Sequence, residues 1–403
     1  MILYSYIAVF LMFLVSGTVF ASMMHASTFM FLFFFFSLFY AKKNNVIFGR
    51  KEFFFLFIYS ICLFANCLFV GDYETTSFNI VIGYVLLATG TLCVMQSIEY
   101  DKFRYIYLNI ATFIAFTSAI LFLLQQSNLI PLKIETTPGG VRFLMFLFNN
   151  FGWGLPFDRL AGPYWEPGAF QIVLNYALIM YLNEICSFKF SVPYGKIKLA
   201  IIIIALLLTQ STAGYINLFV FAVLTILNMK LTRRTIPKYI CIGIALLVAC
   251  FFLMTSETYT SKMAQKGEKD TSYEIRKNDN MAMLQMSVEK PIWGYGINSF
   301  EFRSRGKSLG NSTSSNGLLA VSSQLGCPFL LFIILSLYIK LRKFYPQKTF
   351  LVLIILLMLQ ATEVFIFFPI ALIFFFAKIK KEKISQGNRQ YLEKSMPKNN
   401  ENL

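Results

Sequence analysis

Residues 53–70, FFFLFIYSICLFANCLFV, form an unbroken run without a charged side chain. An α-helix needs about 20 predominantly apolar residues to cross the ~30 Å hydrocarbon core of a bilayer, and this run has close to that length. Hydrophobic residues make up 57% of the whole chain and charged residues only 14%, whereas soluble domains contain about 25% charged residues. The sequence therefore predicts an integral membrane protein in which this run is one spanning helix.

Similar apolar runs recur on both sides of this one, so the predicted fold class is all-α. We expect a polytopic transmembrane helical bundle of about 12 helices, give or take about two because several runs are short. The first run has no basic residue ahead of its apolar part, as a cleaved secretory signal normally has, so it is predicted to be a retained helix. The predicted spans are residues 2–21, 28–41, 53–70, 78–96, 105–124, 168–186, 199–209, 215–229, 239–255, 317–339, 350–362 and 364–377.

The distribution of Lys and Arg predicts the orientation of the bundle. Most of the 36 basic residues fall in the short connections and the tail that share one side if the N-terminus is cytoplasmic, as the positive-inside rule requires. Residues 1–377 then form a single transmembrane domain with two large outer loops, at about 125–167 and 256–316, and residues 378–403 form a basic cytoplasmic tail that we expect to be disordered. The net charge of +16 reflects this topology and gives no support for nucleic-acid binding.

The segment RLAGPYWEPGAFQ, residues 159–171, places an arginine and a carboxylate at the outer boundary of the membrane. Charges near hydrocarbon are costly, so Arg159 and Glu166 are suspected of handling a polar substrate. The alternative is a loop-to-helix junction in which Glu166 complements the dipole of the next helix. That alternative does not explain Arg159 or the aromatic Tyr164 and Trp165, so we favour a substrate site.

The first outer loop is rich in aromatic residues and poor in charges at residues 141–157, VRFLMFLFNNFGWGLPF. This composition is typical of a segment that lies in the membrane interface or re-enters the membrane. Such a segment could hold a lipid-linked substrate against Arg142 and Arg159. It could equally be a partly buried lid without substrate contact.

The second outer loop contains a predicted helix that begins at a capping box formed by Thr271 and Glu274 and stops before Pro291. Arg276 lies in its first turn, where a cation is unfavourable beside the positive end of the helix dipole. We therefore expect Arg276 to have a partner, either a structural carboxylate or an anionic substrate.

A tight turn and a basic cluster follow that helix in the second outer loop. The turn is predicted at residues 293–300, WGYGINSF, because Gly294 and Gly296 allow it. Arg303 and Arg305 come directly after it. Basic clusters in loops are usually solvated surface, so these two arginines are only secondary candidates for substrate binding.

The inventory of reactive residues limits the chemistry. The chain has one histidine, His25, no cluster with zinc-ligand spacing and no phosphate-binding glycine motif, so we predict neither a metal site nor a cofactor. Arginines bind diphosphates bidentately and stabilise charge that develops on a leaving group. Glu166, or Glu363 between the last two apolar runs as a second carboxylate candidate, could deprotonate an attacking hydroxyl. A sugar linked to a lipid diphosphate suits these groups.

Four motifs give the chain a resemblance to the superfamily of O-antigen polymerases (Wzy type) and O-antigen ligases, which are polytopic inner-membrane enzymes. Residues 159–171 resemble the R-x-x-G…E-P-G element before a family helix, and TQSTAGY at 209–215 is similar to the Ser/Thr-Gly turn between two spans. Arg276 with GYGINSF at 294–300 resembles the arginine helix and the G-x-G-x-x-x-F element of the large loop. SNGLLAVSSQLG at 315–326 resembles the His-Asn-x-x-Leu…Gly element that opens the next helix.

The resemblance implies transfer of a growing glycan from one undecaprenyl diphosphate to the next lipid-linked repeat unit, at the periplasmic face of a bacterial inner membrane. Where the ligases have a histidine implicated in catalysis, this chain has Ser315 followed by Asn316. That departure favours a polymerase over a ligase and leaves the base unassigned. The implied partners are the lipid-linked oligosaccharide, membrane lipids and a polysaccharide chain-length regulator.

Our hypothesis from the sequence is an inverting, metal-independent glycosyl transfer. Arg159 and Arg276 would hold diphosphates, and Glu166 would be the leading base or a structural anchor. A lipid-linked oligosaccharide flippase or other transporter stays open as an alternative, although such proteins are expected to carry charges within their helices and an internal repeat. A non-catalytic assembly protein would leave the arginines unexplained. The further substrate-binding candidates are Arg142, Arg303, Arg305, Asn316, Tyr164 and Trp165.

Overall fold

The protein folds into an assembly of α-helices with one small sheet in the first outer loop. The computed structural model describes residues 2–23, 25–70, 75–127, 129, 134–137, 140–145, 149–151, 159–187, 189–228, 236–237, 240, 243–244, 272–310 and 316–378. Within these residues the helices are α1 (Ile2–Val15), α2 (Val19–Met23), α3 (Ala26–Lys43), α4 (Arg50–Phe69), α5 (Thr75–Ser97), α6 (Tyr100–Gln126), α7 (Pro167–Ser187), α8 (Gly195–Leu208), α9 (Thr212–Asn228), α10 (Ser272–Glu289), α11 (Phe300–Ser308), α12 (Gly317–Leu325), α13 (Cys327–Phe344), α14 (Thr349–Gln360) and α15 (Pro369–Phe376).

The predicted all-α membrane fold is confirmed. By length and composition, α4, α5, α6 and α7 are apolar enough to cross a membrane, while α1, α14 and the first part of α9 are apolar but shorter. Each of these helices overlaps a predicted apolar run. The predicted span at residues 239–255 falls almost entirely outside the described residues, as do residues 379–403 of the tail.

Two predicted spans, residues 2–21 and 317–339, are wrong as single helices, because each is two helices with a glycine in the break. Gly17 lies between α1 and α2 with φ +88°, and Gly326 lies between α12 and α13 with φ +86°. A Cβ on Gly326 would lie 2.0 Å from the carbonyl oxygen of Ile292. Only glycine therefore allows both the positive φ and the close approach of the second outer loop.

The small sheet consists of three antiparallel strands, β1 (Ile134–Thr137), β2 (Gly140–Met145) and β3 (Asn149–Phe151), in that order. The backbone register places Arg142 of β2 opposite Glu135 of β1. These strands were not predicted from the sequence. Residues 152–158, the second part of the predicted interfacial segment, lie outside the described residues.

Helices α7 and α15 occupy the centre of the bundle. In the apolar window of α7, 83% of the residues are buried, against 33% in α4. All residues of α15 are buried, and Phe374 of α15 stacks on Tyr176 of α7 at 6.1 Å between ring centroids. The residues that precede α7 and α15 are therefore attached to two deeply buried helices of the described part of the chain.

Candidate active site

Two carboxyl groups meet at the beginning of α7. Glu166 directly precedes Pro167, the first residue of α7, and Glu363 lies in the turn between α14 and α15. A Cβ added to Gly168 would lie 2.9 Å from Oε1 of Glu363 and 3.4 Å from Oε1 of Glu166. The two side chains are in hydrogen-bond contact with each other. The absence of a side chain at position 168 therefore makes room for both carboxyl groups.

Arg276 joins this pair from the second outer loop. Its Nη2 atom lies 3.7 Å from Oε1 of Glu363, and its side chain is 48% exposed while that of Glu363 is 10% exposed. The expectation that Arg276 has a partner in the structure is met by this carboxyl group. A guanidinium has five N–H donors, and a single contact at this distance leaves donors on its exposed side for an anion.

Glu363 is held in an environment that disfavours its charged form. Burial raises the pKa of the Glu363 carboxyl well above its usual range, and the hydrogen bond with Glu166 raises it further. The Arg276 guanidinium opposes both effects. Because Arg276 is half exposed, water screens its charge and weakens this opposition.

Arg159 lies at the end of α8 rather than in the carboxyl pair. Its Nε donates a hydrogen bond to the carbonyl oxygen of Thr209 at 3.2 Å, and the backbone N–H of Leu160 donates to the carbonyl oxygen of Leu208 at 2.9 Å. Cations are favoured at the negative end of a helix dipole. The structure thus gives Arg159 a structural contact, and its role in binding a diphosphate stays a prediction.

The two aromatic residues between Arg159 and Glu166 have different surroundings. Tyr164 is fully buried and stacks on Phe170 at 5.8 Å, so its ring belongs to the core, and its predicted substrate contact stays a prediction. Trp165 is half buried, and its indole Nε1 donates to Oε1 of Glu166 at 3.3 Å. Trp165 therefore holds one of the two carboxyl groups in place.

Trp165 also lines an apolar cavity of about 310 Å³. The rest of the lining comes from Phe368, Met30 and smaller residues in and between the first three helices. The Trp165 side chain thus both lines the cavity and donates a hydrogen bond to Glu166.

Asn316 opens α12 beside Glu363. Its Oδ1 accepts hydrogen bonds from the backbone N–H groups of Leu318 and Leu319, both at 3.1 Å, which makes it a helix cap. A Cβ on the next residue, Gly317, would lie 2.5 Å from the carbonyl oxygen of Glu363. The beginning of α12 is thus packed against the turn that carries Glu363. The predicted substrate contact of Asn316 stays a prediction.

The predicted turn at residues 293–300 is confirmed, with Gly294 at φ +67° and Gly296 at φ +90°. The residue that anchors this turn, Asn66, was not predicted from the sequence. Asn66, buried in α4, donates to the carbonyl oxygens of Trp293 at 2.7 Å and Gln324 at 3.1 Å, and accepts from the N–H of Ile297 at 3.0 Å. The only signal in the sequence was an amide side chain within an apolar run. An amide needs partners when it is buried.

The basic cluster that follows the turn at residues 293–300 lies on a short helix. Arg303 and Arg305 are part of α11, which Ser299 caps by accepting a hydrogen bond from the N–H of Phe302. Arg305 forms an ion pair with Glu289, and Arg305 and then Tyr295 lower the pKa of Glu289 to about 2. Arg305 therefore has a structural partner. Substrate binding by Arg303, Arg305 and Arg142, whose strand position alone is described, stays a prediction.

No group of three or more His, Cys, Asp or Glu side chains that could hold a metal ion is found among the described residues. The arrangement offers instead a half-exposed guanidinium, two carboxyl groups in contact and an apolar cavity. Together these can bind an anion, move a proton and accommodate a hydrocarbon chain.

Among known proteins, a similarity is found for the middle and later part of the chain. No curated protein matches it. A family model described as O-antigen ligase matches residues 197–334, a range that includes Arg276 and Asn316 and excludes Glu166 and Glu363. Over these residues the chain is similar to the O-antigen polymerase/ligase superfamily, which agrees with the resemblance seen in the sequence.

Proposed function

We propose that the protein is an O-antigen polymerase, which transfers a growing glycan from undecaprenyl diphosphate onto the next lipid-linked repeat unit at the periplasmic face of the inner membrane. The observation that carries this proposal is the contact of Arg276, Glu363 and Glu166 beside an apolar cavity. A glycan carried on a lipid diphosphate needs a cation for the phosphates, a base for the acceptor hydroxyl and an apolar space for the lipid.

In the proposed reaction, the hydroxyl oxygen of the acceptor sugar attacks the anomeric carbon of the donor glycan. Its proton passes to Glu166, and the bond between the anomeric carbon and the phosphate oxygen breaks, with its electron pair remaining on the diphosphate. Attack from the face opposite the leaving group inverts the anomeric centre. Arg276 binds the departing diphosphate, with Arg159 as the second candidate, because a guanidinium stays charged when it is partly desolvated.

The apolar cavity supports a lipid-linked substrate. Its volume of about 310 Å³ equals roughly ten water-sized volumes of ~30 Å³, which is room for a short segment of a hydrocarbon chain. Trp165 lines the cavity and also binds Glu166. A lipid segment in this cavity would therefore lie one side chain away from the proposed base.

An O-antigen ligase is the second candidate, because the matching family model carries that description. Such an enzyme would transfer the finished glycan to a different acceptor, with the same diphosphate leaving group. The replacement of the family's histidine by Ser315 favours the polymerase. The two reactions differ only in the acceptor, so an assay with defined acceptors separates them.

The test is a polymerisation assay with the purified protein in liposomes and a lipid-diphosphate-linked oligosaccharide repeat, without nucleotide or divalent metal. We expect a ladder of lengthened lipid-linked glycans. Glycan transfer only to an added acceptor other than the lipid-linked repeat unit would indicate a ligase. Movement of unaltered repeats across the liposome membrane, without any transfer, would indicate a transporter.

Arg276→Ala is the variant that tests the assigned cation. Loss of a group that stabilises leaving-group charge should cost on the order of 2.7 to 4 kcal/mol in activation free energy, which is a factor of about 10² to 10³ in kcat. Lys277→Ala is the matched control, since it removes a positive charge from the neighbouring exposed position of the same helix. Equal rates for the two variants would contradict the role of Arg276.

A further inference from the structure

The contact between Glu166 and Glu363 raises the question of which carboxyl group is protonated. Glu363 is 8% exposed, and its carboxyl group touches that of Glu166 at the first turn of α7. Two ionised carboxylates in contact repel each other, and water cannot screen them well at a buried position. A hydrogen bond between two carboxyl groups also needs a donor, which only a protonated carboxyl supplies.

The surroundings identify which carboxyl group holds the proton. Glu363 is the more buried of the two, and burial disfavours the charged form. Glu166 is half buried, and its Oε1 accepts the indole N–H of Trp165 at 3.3 Å. The charged groups of the described residues whose electrostatic effect reaches Glu363 are Glu166, before α7, and Arg276, from α10.

We propose that Glu166 and Glu363 form one proton-sharing pair, in which Glu363 is the protonated partner and positions ionised Glu166 as the base. Glu363 is then a positioning residue, and it donates its hydrogen bond to the carboxylate whose Oε1 also accepts from Trp165. The pair carries a single negative charge. Arg276 therefore balances one carboxylate and not two, which leaves its guanidinium more attractive to a diphosphate.

The proton balance of a turnover follows from this assignment. The acceptor hydroxyl gives its proton to Glu166, so the pair becomes neutral while the diphosphate leaves with the bonding electrons. Release of one proton to water restores the resting pair. Burial and the contact with Glu166 raise the pKa of Glu363, which agrees with a carboxyl group that stays protonated at neutral pH. The catalytic part of this inference rests on the proposed transfer reaction, whereas the shared proton does not.

The shared proton is tested without turnover by infrared difference spectroscopy of the purified protein. The spectrum of the wild type minus that of Glu363→Gln should show a carboxylic-acid C=O band at neutral pH. Raising the pH of the wild type should convert this band to carboxylate bands. If the difference spectrum shows a lost carboxylate and no lost acid at neutral pH, Glu363 is ionised and the proposal is overturned.

The positioning role is tested by the pH dependence of the transfer rate. Glutamine is neutral and keeps an N–H donor at the same place, so Glu363→Gln should retain the rate at neutral pH to within about tenfold. Glu166→Gln should lose about 10²- to 10⁴-fold, as expected for a missing general base. The wild-type rate should fall as the pH rises through the raised pKa of Glu363, and this fall should be absent from Glu363→Gln.

The possible results separate the two proposals. A loss in Glu363→Gln as large as that in Glu166→Gln would overturn the positioning role. A wild type that shows the acid band but transfers no glycan would refute the proposed function and leave the shared proton standing.

Discussion

Replacement of Gly168 by alanine should reduce activity while leaving the fold intact. Gly168 is the second residue of α7, where its backbone is helical, and the added methyl group would point at both carboxyl groups. It would lie 2.9 Å from Oε1 of Glu363, whereas ordinary contacts begin at 3.4 Å. Glu363 must therefore withdraw by about 0.5 Å, while Glu166, already at 3.4 Å, can stay in place.

Gly168→Ala should lower kcat while leaving the free energy of unfolding nearly unchanged. A misplacement of 1 Å can cost about 10²-fold in rate even when the mutation lies away from the reacting atoms, so a displacement of half that size in the positioning residue Glu363 should lower kcat by about tenfold. Alanine in place of glycine at a helical position stabilises a protein by about 0.4–1 kcal/mol, and the displaced carboxyl group offsets part of this gain. The free energy of unfolding should therefore stay within about 1 kcal/mol of the wild type.

The assay compares Gly168→Ala with Gly214→Ala, a glycine near the beginning of α9. A Cβ at Gly214 would lie 3.4 Å from the nearest atom, the Cβ of Gln171, which is an ordinary contact. Both variants should show wild-type thermal unfolding in detergent, and only Gly168→Ala should slow the transfer of glycan. Equal kcat values for the two variants, with both proteins folded, would refute the placement of the carboxyl pair in the catalytic machinery.

Two further substitutions test the second outer loop. Asn66→Ala removes three hydrogen bonds that hold residues 293–297 and 324, including the bond to the buried N–H of Ile297, so the free energy of unfolding should fall by about 1–3 kcal/mol; an unchanged midpoint in a thermal melt would contradict this anchoring role. Arg305→Ala removes an exposed ion pair with Glu289. Because the pKa of Glu289 is lowered to about 2, this pair contributes its full stability above the ordinary glutamate pKa and loses it only as the pH falls towards about 2. The small difference in stability between Arg305→Ala and the wild type should therefore be the same at pH 6 and pH 8.

The sequence predicted the elements of the site better than their contacts. The arginine in the first turn of α10 was expected to need a partner because its position opposes the helix dipole, yet nothing in the sequence identified Glu363 as that partner. Arg276 and Glu363 are brought together because α12 packs against the turn between α14 and α15, and this packing depends on Gly317. The burial of Tyr164 was not predicted either, because an aromatic residue between two charges looks the same in sequence whether its ring faces a substrate or the core.

The break in the predicted span 317–339 could have been recognised. Gly326 is followed two residues later by Pro328, and glycine before proline is a common pattern at the end of one helix and the start of the next. The apolar character of the run outweighed this signal. By contrast, the three short strands of the first outer loop have no clear alternation of apolar and polar residues, so periodicity could not reveal them.

Three of the four motifs of the sequence come together in one arrangement when the helix ends are considered. Glu166 directly precedes α7, Arg276 lies near the beginning of α10, and Gly317, at the beginning of α12, packs against Glu363. Helix N-termini carry partial positive charge. The early turns of three helices, with an arginine on one of them, therefore surround a pair of carboxyl groups. A second full negative charge from the pair would cancel much of this positive potential, whereas a pair with one proton preserves it for an anionic leaving group. The protonation of Glu363 and the affinity of the site for a diphosphate are thus expected to change together, so that diphosphate binding should weaken as the pH rises through the pKa of Glu363.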